Sequence, residues 1–411
     1  MYTSACNRSH LNWRRAYEYS FCRLRLGLRP DEVHSDGKRP GVVGKNYIHR
    51  HASETCEHLL QQSMAKTHNF SIGKRSIGPG DPPFVIAEIG INHEGSVAKA
   101  KHMVRDAYNA GAECVKFQSH IVSDEMTHAA KKVIPGHTKE SIWEIISRCA
   151  FNEKQELELK KYVESLGMIY LCTPFSRAAA DRLHKFGVLA YKIGSGECNN
   201  YPLVDHIASF GSPVLLSTGI NDIASIRPAV KILEKRRVPY VIFHCTSLYP
   251  TPYDKVRLGA LEELQRAFPR AVIGLSDHSL GPYTAFAAVA LGASVIEKHF
   301  TSDKKWPGPD IAISLTPPEL KGLIEGVNAI HQALGGNKKI LTEETPTIDF
   351  AYSCVVAIQD IAPGEKFTMK NVWVKRPGTG EIKAKDLKKV LGEKAKTGIK
   401  ADEQIRWKQI V

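Results

Sequence analysis

Short runs of apolar, often β-branched residues recur along the chain from residue 84 onward, and segments with helical spacing separate them. The runs are FVIAEI (84–89), CVKFQS (114–119), MIYLCT (168–173), AYKIGS (190–195), PVLLST (213–218), VIFHCTS (241–247), VIGLSD (272–277) and VIEKHF (295–300). Strands that alternate with helices form parallel βαβ units, and near-continuous apolar strands are buried on both faces. Eight such strands within roughly 250 residues predict a (β/α)8 TIM barrel. A doubly wound parallel sheet is the alternative.

The segment before the barrel divides into two parts. Residues 1–63 lack this rhythm and contain no signal-peptide core, so we expect either a disordered extension or an upstream stretch that is not translated in the native protein, with the barrel domain spanning residues 64–340. Met64 is the natural first residue of that domain. FSIGKRSIG (70–78) predicts a small hairpin that turns at Gly-Lys.

A smaller domain is expected after the barrel. A helix near residues 317–334 is followed by a polar linker at 341–350, which contains EETPTIDF. Residues 351–411 hold SCVVAIQDI, an APGE turn and NVWVKRPG. This pattern predicts a short β-rich domain, too small to be a second barrel.

Composition narrows the classes of function. The chain has a net charge of +13, but its Lys and Arg residues are scattered among Asp and Glu, without a nucleic-acid motif. A small anionic substrate explains the charge equally well. No run of about 18 apolar residues occurs, so we expect no membrane span. The nine cysteines form no CxxC pair. We expect Cys114, Cys172 and Cys245 to be reduced core thiols of a cytoplasmic protein.

Polar residues end the predicted strands, where packing alone would favour apolar ones. Barrel enzymes carry their active sites at the C-terminal ends of the strands, so these residues are expected to converge on one site. They are Glu88, Lys116, Gln118, Thr173, Lys192, Ser195, Ser217, Ser247, Ser276 with Asp277, and the run Glu297, Lys298 and His299.

Two histidines follow the seventh and eighth predicted strands. His278 and His299 are 21 residues apart, and adjacent parallel strands would bring them close together. Two imidazoles with open coordination positions suit a catalytic metal. Two hydrogen-bonded core histidines would give the same pattern, and the spacing alone leaves both interpretations open.

Two lysines lie toward the ends of the second and fourth predicted strands. Lys116 and Lys192, together with the Ser and Thr residues, suit a bound phosphate or carboxylate. They could instead pair with Glu88 or Glu197 in a structural network. A third alternative is the Schiff-base lysine of a metal-independent aldolase.

Seven motifs occur in a fixed order across roughly residues 67–411: AEIGINHEG, YKIGSGECNNYP, LYPTPY, GLSDHS, EKHFT, PGPD and VKRPG. Together they resemble the sialic acid synthase family, most closely its bacterial N-acetylneuraminate synthases. The final domain resembles the antifreeze-like (SAF, β-clip) domain of that family. The resemblance implies condensation of phosphoenolpyruvate with N-acetylmannosamine to give N-acetylneuraminate and phosphate. It also implies a divalent metal, usually Mn²⁺, with Mg²⁺ or Co²⁺ as alternatives.

The resemblance also implies roles for individual residues. The implied metal ligands are His278 and His299. The implied phosphoenolpyruvate site consists of Lys116, Thr173, Lys192, Ser195, Ser217, Ser247 and Ser276. The implied sugar-side or catalytic groups are Glu88, Gln118, Glu197, Tyr249, Asp310 and Phe350. In the implied reaction, either Glu88 or Glu297 could stabilise the positive charge that develops at C2 or activate water. Arg376 matches an arginine that the C-terminal domain of one subunit supplies to the other subunit of a domain-swapped homodimer.

Two positions depart from the bacterial pattern. Ser247 stands where an Asn usually contacts phosphoenolpyruvate, and His137 stands where an Asn lies near the sugar. Both keep hydrogen-bonding groups, so the reaction class is unaffected, but a related sugar acid such as legionaminic acid is an alternative product. A non-enzymatic barrel carrying an ice- or carbohydrate-binding module is disfavoured, because His278, His299, Lys116, Lys192 and Glu88 are all present.

Overall fold

The computed structural model describes residues 69–136 and 139–411. These residues fall into two compact units, which meet in sequence between Leu334 and Gly335. The expectations about residues 1–63, Met64 and His137 lie outside the described part of the chain.

Eight parallel strands form a closed barrel in the first unit. They are β3 (Phe84–Gly90), β4 (Cys114–Ser119), β5 (Ile169–Pro174), β6 (Tyr191–Ile193), β7 (Val214–Ser217), β8 (Tyr240–Cys245), β9 (Val272–Asp277) and β10 (Val295–His299). Strand β10 closes the barrel against β3, with Val295 opposite Phe84 and His299 opposite Glu88. The (β/α)8 TIM barrel is confirmed, and the open doubly wound sheet is excluded.

Helices surround the barrel strands. They are α1 (Val97–Asn109), α2 (Val122–Glu125), α3 (Ile142–Cys149), α4 (Glu153–Ser165), α5 (Arg177–Lys185), α6 (Tyr201–Ala208), α7 (Ile223–Arg236), α8 (Tyr253–Val256), α9 (Gly259–Ala267), α10 (Tyr283–Ala290) and α11 (Pro317–Ala333). Short 3₁₀ helices lie at His128–Lys132, Ser195–Glu197 and Ile311–Ile313. Side chains cap the longer helices at their starts, as where Ser96 accepts from the Lys99 N–H and Asn152 from the Gln155 N–H. After α1 the chain turns at Gly111, where φ is +92°, a conformation that favours glycine.

The predicted hairpin is confirmed at the N-terminal side of the barrel. Strands β1 (Phe70–Ile72) and β2 (Arg75–Ile77) pair antiparallel, with Phe70 opposite Ile77. Gly73 and Lys74 form the two-residue turn, and Gly73 has a φ of +60°. Ile72 and Ile77 are buried in one apolar cluster with Phe84 and other residues inside the barrel, so the hairpin closes that end.

The barrel interior changes from apolar to polar along the strands. Alternate residues of a strand face the same side, so β3 places Phe84, Ile86 and then Glu88 in the interior. Strand β10 likewise places Val295 and then Glu297 there, while Phe84, Ile86 and Val295 share the interior apolar cluster. We call the C-terminal side the polar end of the barrel. By the same alternation, the residues that face inward at the polar end are Glu88, Lys116, Thr173, Lys192, Ser217, Cys245, Ser276 and Glu297.

One expectation about the strand ends is wrong. Asp277 and Lys298 do not join the residues at the polar end, because each directly follows an inward-facing residue and therefore faces outward. Lys298 Nζ lies 3.0 Å from Asp277 Oδ2, and the two side chains are 0% and 1% exposed. Lys298 also donates to the carbonyl of Ser279, and Asp277 accepts from the hydroxyl of Thr284. This pair stabilises the layer between strands and helices.

The second unit, Gly335–Val411, is built around short strands. Strands β11 (Cys354–Ala357) and β12 (Val372–Lys375) pair antiparallel over an apolar core that includes Val355, Phe367 and Ile405. This confirms the small β-rich domain. The other elements are α12 (Thr345–Ala351), α13 (Leu387–Val390) and 3₁₀ helices at Thr342–Glu344, Ala384–Asp386 and Trp407–Gln409. Most of the segment expected as a linker, 341–350, is therefore helical, with a proline in the first turn of α12.

Two further expectations concern the described residues. No helix within them is long and apolar enough to cross a membrane. Their six cysteines are all buried and none forms a disulfide; these include Cys114, Cys172 and Cys245, as expected.

Candidate active site

Two lysines and two glutamates form one buried charge network at the polar end of the barrel. Lys116 Nζ lies 3.0 Å from Glu88 Oε2 and 3.7 Å from Glu297 Oε2. Lys192 Nζ lies 3.5 Å from Glu297 Oε1. None of the four side chains is more than 7% exposed. Charges this deeply buried persist only when they are paired, so each group here depends on its neighbours.

The two carboxylates of this network differ in their affinity for a proton. Burial raises the pKa of Glu88 to about 7, against the opposing charge of Lys116. Burial acts in the same direction on Glu297, but Lys116 and Lys192 outweigh it and hold the pKa of Glu297 below its ordinary value. Neighbouring carboxyl groups with separated pKa values suit different roles, one exchanging a proton near neutral pH and one staying ionised.

The two lysines also differ. Burial opposes the charge of Lys116, but Glu297 and Glu88 outweigh it and raise the pKa of Lys116. Burial lowers the pKa of Lys192, whose Nζ donates to Ser217 Oγ at 2.6 Å. Lys116 therefore stays a cation, while Lys192 has the depressed pKa that a Schiff-base lysine needs.

Short hydroxyl groups complete the surroundings of these charges. Lys116 Nζ donates to Thr173 Oγ1 at 3.2 Å, and Ser276 Oγ donates to Glu297 Oε1 at 2.9 Å. Both hydroxyls come from strand ends, as the alternation of the strands requires. The network thus has donors ready for an incoming anion.

A cradle of small groups lies beside Lys192. Ser195 Oγ accepts from the Gly219 N–H at 3.0 Å. A Cβ on Gly219 would lie 2.3 Å from Ser247 Oγ and 2.8 Å from Ser195 Oγ, so the two hydroxyls can approach the backbone this closely only because this residue is glycine. Serine hydroxyls beside an ammonium suit a phosphate or a carboxylate.

The two histidines lie together, as expected from the strand order. The ring centres of His278 and His299 are 5.3 Å apart. Tyr249 stacks on His278 at 4.1 Å between ring centres and meets His299 edge-on at 6.1 Å. Asp310 Oδ2 lies 3.6 Å from His299 Nδ1. These four side chains form a second cluster, which we call the histidine cluster.

The histidine cluster has the chemistry of a metal site with open positions. Burial lowers the pKa of His299 well below its ordinary value, which favours the neutral imidazole that binds metals, and its buried Nδ1 makes no hydrogen bond. His278 Nδ1 lies 2.9 Å from the Thr246 carbonyl, which leaves Nε2 as the ligand atom. Within the described residues, no group of three or more His, Cys, Asp or Glu side chains could enclose an ion. A metal held here would need further ligands from water or substrate.

The remaining predicted residues differ in their placement. Gln118 joins the charge network, since its Nε2 donates to Glu88 Oε1 at 3.4 Å. Glu197 stays outside it and accepts from Asn200 Nδ2 at 2.6 Å. Phe350 and Arg376 belong to the second unit and are exposed there, Phe350 at 63%. Their predicted contacts with the sugar stay predictions.

The structure adds three residues that the sequence did not single out for a role in the site. Gly219 lies against Ser195 and Ser247, and the only sign of it in the sequence is the STG run at the end of β7. Cys245 Sγ lies 3.9 Å from His278 Nδ1. His120 Nε2 lies 3.0 Å from Gln118 Oε1. His120 directly follows β4, so the rule that polar strand ends mark the site could have been extended to it.

Family models match both units of the chain. The NeuB family matches residues 103–339, and the SAF domain matches residues 352–411. The first match covers more than half of the chain and lies almost wholly in the barrel. The second falls within the small β-rich unit.

Individual proteins also resemble this chain over most of its length. The N,N'-diacetyllegionaminic acid synthase of Campylobacter jejuni is 38% identical, over 78% of this chain and 98% of that enzyme. The N-acetylneuraminate-9-phosphate synthase of Homo sapiens is 34% identical, over 80% of this chain and 93% of that enzyme. The crystal structure of an N-acetylneuraminic acid synthetase from Leptospira borgpetersenii, in complex with citrate, has a TM-score of 0.63 and 31% identity, covering 69% of this chain and 95% of that one.

Proposed function

Since the chain belongs to the NeuB family, whose synthases use phosphoenolpyruvate to form a carbon–carbon bond, we propose that it condenses phosphoenolpyruvate with N-acetylmannosamine. The products are N-acetylneuraminate and phosphate. The observation that carries the proposal is the buried network of Lys116, Lys192, Glu88 and Glu297. The network has two cations and a carboxyl group with a raised pKa, and it lies at the C-terminal side of the strands, where barrel enzymes have their active sites.

Phosphoenolpyruvate fits the lysine side of this network. Its phosphate and carboxylate are anionic, and Lys116 and Lys192 offer two ammonium groups within a few ångströms of hydroxyl donors. Entry of the substrate gives each lysine a further anionic partner, which offsets the cost of removing the substrate's charges from water. Ser195 and Ser247, packed against Gly219, provide hydroxyl donors for one anionic end.

The reaction then follows from the two substrates. C3 of phosphoenolpyruvate attacks the aldehyde carbon of the open-chain sugar, and positive charge develops at C2. Water adds to C2, and the tetrahedral intermediate expels phosphate by cleavage of its C–O bond. Glu88, with a pKa raised by burial to about 7, takes a proton from that water, and the ionised Glu297 stabilises the positive charge at C2.

A divalent metal is part of the proposal, with His278 and His299 as its protein ligands. Their proximity, the buried Nδ1 of His299 without a hydrogen bond, and the contact that anchors His278 through its Nδ1 support this assignment. When bound, the metal would supply Lewis-acid polarisation of the sugar aldehyde. Mn²⁺ is our first choice, with Mg²⁺ and Co²⁺ as alternatives.

A related sugar is the second candidate substrate. The synthase of N,N'-diacetyllegionaminic acid is 38% identical to this chain, against 34% for the N-acetylneuraminate-9-phosphate synthase. This observation favours testing the diacetamido sugar precursor of legionaminic acid beside N-acetylmannosamine and its 6-phosphate. All three acceptors share an N-acetyl group and an aldehyde, so the charge network serves each of them equally.

The direct test is the purified protein with phosphoenolpyruvate and these three acceptors. We expect phosphate release that depends on an acceptor, and a nine-carbon acid identified by mass. The rival mechanism, a Schiff-base aldolase using Lys192, predicts a different result: pyruvate would replace phosphoenolpyruvate as the substrate, no metal would be required, and borohydride would trap pyruvate on the lysine. No phosphate release with any acceptor would refute the proposed function.

A further inference from the structure

A line of hydrogen bonds connects Glu125, at the end of helix α2, with the charge network. Glu125 Oε2 lies 2.7 Å from His120 Nδ1. On the other side of the ring, His120 Nε2 lies 3.0 Å from Gln118 Oε1. Gln118 Nε2 in turn lies 3.4 Å from Glu88 Oε1. His120 is 3% exposed and stacks on Phe175, with ring centres 4.6 Å apart. The ring is therefore held from both edges and one face.

The partners of this line determine its direction. A carboxylate only accepts hydrogen bonds, so His120 Nδ1 donates to Glu125. The oxygen of the Gln118 amide also only accepts, so His120 Nε2 is the donor in that contact. With its oxygen held by His120, the Gln118 amide can turn only its NH₂ group toward Glu88.

This orientation matters because Glu88 has few partners. Within the described residues, Lys116 and Gln118 are the side chains at hydrogen-bond or ion-pair distance that bind its carboxylate. Lys116 lies beside Oε2, and Gln118 donates to Oε1. A reversed amide would bring its oxygen against Oε1 and repel it, which would turn the carboxylate away from its place in the site.

We propose that His120 and Glu125 are positioning residues that hold the Gln118 amide with its NH₂ group on Glu88. The proposal rests on the proposed function, because it treats Glu88 as the group that exchanges a proton with the reacting substrate. His120 and Glu125 touch neither that carboxylate nor, in this assignment, the substrate. They act through Gln118 alone.

Two substitutions that resemble different halves of the imidazole test the proposal. His120→Gln places an amide nitrogen near the position of Nε2 and can still donate to Gln118. His120→Asn places its nitrogen near Nδ1 and can contact only Glu125. We expect kcat to fall about 10- to 100-fold in His120→Asn, as it does when a catalytic group is misplaced. The KM for phosphoenolpyruvate should change less than about twofold, because the lysine side is untouched. His120→Gln should retain most of the wild-type kcat.

The matched control uses another histidine that binds a carboxylate. His206 Nε2 lies 2.6 Å from Asp181, and its side chain is 29% exposed. His206→Gln and His206→Asn should both leave kcat unchanged. A purely structural role of His120 predicts that its two variants lose kcat equally, in parallel with their melting temperatures. That result, or an effect on KM at constant kcat, would overturn the proposal.

A measurement that needs no turnover separates this inference from the proposed function. The ¹H–¹⁵N signals of the Gln118 side-chain amide, identified by their loss in Gln118→Glu, should keep their wild-type positions in His120→Gln and move or broaden in His120→Asn. Gln118 signals that stay unchanged in His120→Asn would overturn the inference even if phosphate release is observed. Absence of phosphate release with all acceptors would refute the proposed function, while the Gln118 signals would still decide whether His120 holds the amide.

Discussion

The ammonium of Lys116 and the carboxylate of Glu88 meet at 3.0 Å inside the barrel, with side chains 5% and 2% exposed. Their register in the sheet explains the contact, because Glu88 on β3 lies opposite Lys116 on the neighbouring strand β4. The same ammonium also reaches Glu297, at 3.7 Å. One cation therefore compensates two buried carboxylates, and the site depends on it both for its stability and for its chemistry.

Replacing Lys116 should destabilise the protein strongly. Lys116→Met leaves the buried carboxylate of Glu88 without a cation, and breaking a buried ion pair in this way costs about 3–5 kcal/mol in the free energy of unfolding. Denaturant titration at pH 7.5 measures this. The double variant Lys116→Met/Glu88→Gln should recover part of the loss, because one of the uncompensated charges is gone. The control Lys185→Met removes a 74% exposed partner of Glu153 and should leave stability nearly unchanged. Equal stability of Lys116→Met and wild type would contradict the buried network.

The protein should lose stability in mild acid through His93. This ring is 1% exposed, stacks on Phe151 at 4.2 Å and accepts from the Gly95 N–H. Burial lowers the pKa of His93 to about 3. Between about pH 6.5 and 3 the unfolded chain binds a proton at this residue that the folded protein does not. The free energy of unfolding therefore falls with decreasing pH, by at most about 1.4 kcal/mol per pH unit.

His93→Gln isolates this contribution, because glutamine keeps an acceptor and does not titrate. Denaturant unfolding from pH 7.5 to 4 should show a shallower loss of stability in His93→Gln than in the wild type. The control His102→Gln makes the same substitution at a histidine whose side chain is 60% exposed, and its curve should follow the wild type. Parallel curves for His93→Gln and wild type would show that His93 is protonated in the folded protein.

Activity should require a divalent metal held by His278 and His299. We expect EDTA to abolish phosphate release and Mn²⁺ to restore it. In His299→Ala, ordinary concentrations of Mn²⁺ should not restore activity, because one of two protein ligands is missing. His206→Ala, at a histidine bound to Asp181, should respond as the wild type does. Full phosphate release in EDTA would rule out the metal requirement, and borohydride trapping of pyruvate on Lys192 would favour the Schiff-base mechanism.

The sequence predicted the barrel because its signals are local. Runs of β-branched residues, helical spacing and Gly stops each lie within one element, and the polar strand ends indicated where the site would lie. The partners within the site were harder to predict. The sequence offered Glu88 or Glu197 as partners of the lysines; in the structure Glu88 is one, and Glu197 instead accepts from Asn200. Such choices depend on strand register and side-chain direction, which no single segment contains.

One error has a clear physical origin. The sequence groups Glu297, Lys298 and His299 at one strand end, although the two-residue period of a strand sends the middle residue to the opposite face. Lys298 accordingly pairs with Asp277 outside the barrel. The linker at 341–350 stays a prediction; α12 begins within it at Thr345, where Pro346 is well suited to the first turn of a helix.

The last prediction concerns Arg376, which follows strand β12 in the second unit. Its side chain is exposed, and no carboxylate of the described residues pairs with it. An arginine offers a planar set of donors for the carbonyl of an N-acetyl group, and the resemblance to sialic acid synthases implies that a partner subunit supplies it. We therefore propose that the protein is a homodimer in which Arg376 of one subunit completes the site of the other. Arg376→Ala should lower activity chiefly by raising the KM for the sugar, with Lys375→Ala, at an exposed neighbour, as its control.

Subunit exchange tests the direction of this supply. Two variants, Glu88→Ala and Arg376→Ala, are mixed until their subunits exchange freely and are assayed at a sugar concentration well below the KM of Arg376→Ala, where each has little activity of its own. Random exchange makes half of the dimers mixed, and a two-fold dimer has two equivalent sites. If Arg376 acts across the dimer, one site in each mixed dimer has both wild-type groups, because the other site collects both defects. Activity should then return to roughly a quarter of the wild-type value, as that symmetry requires. If Arg376 serves its own subunit, every site keeps one defect and exchange recovers nothing. Mixed dimers that are confirmed by mass and yet inactive would therefore rule out supply from the partner subunit.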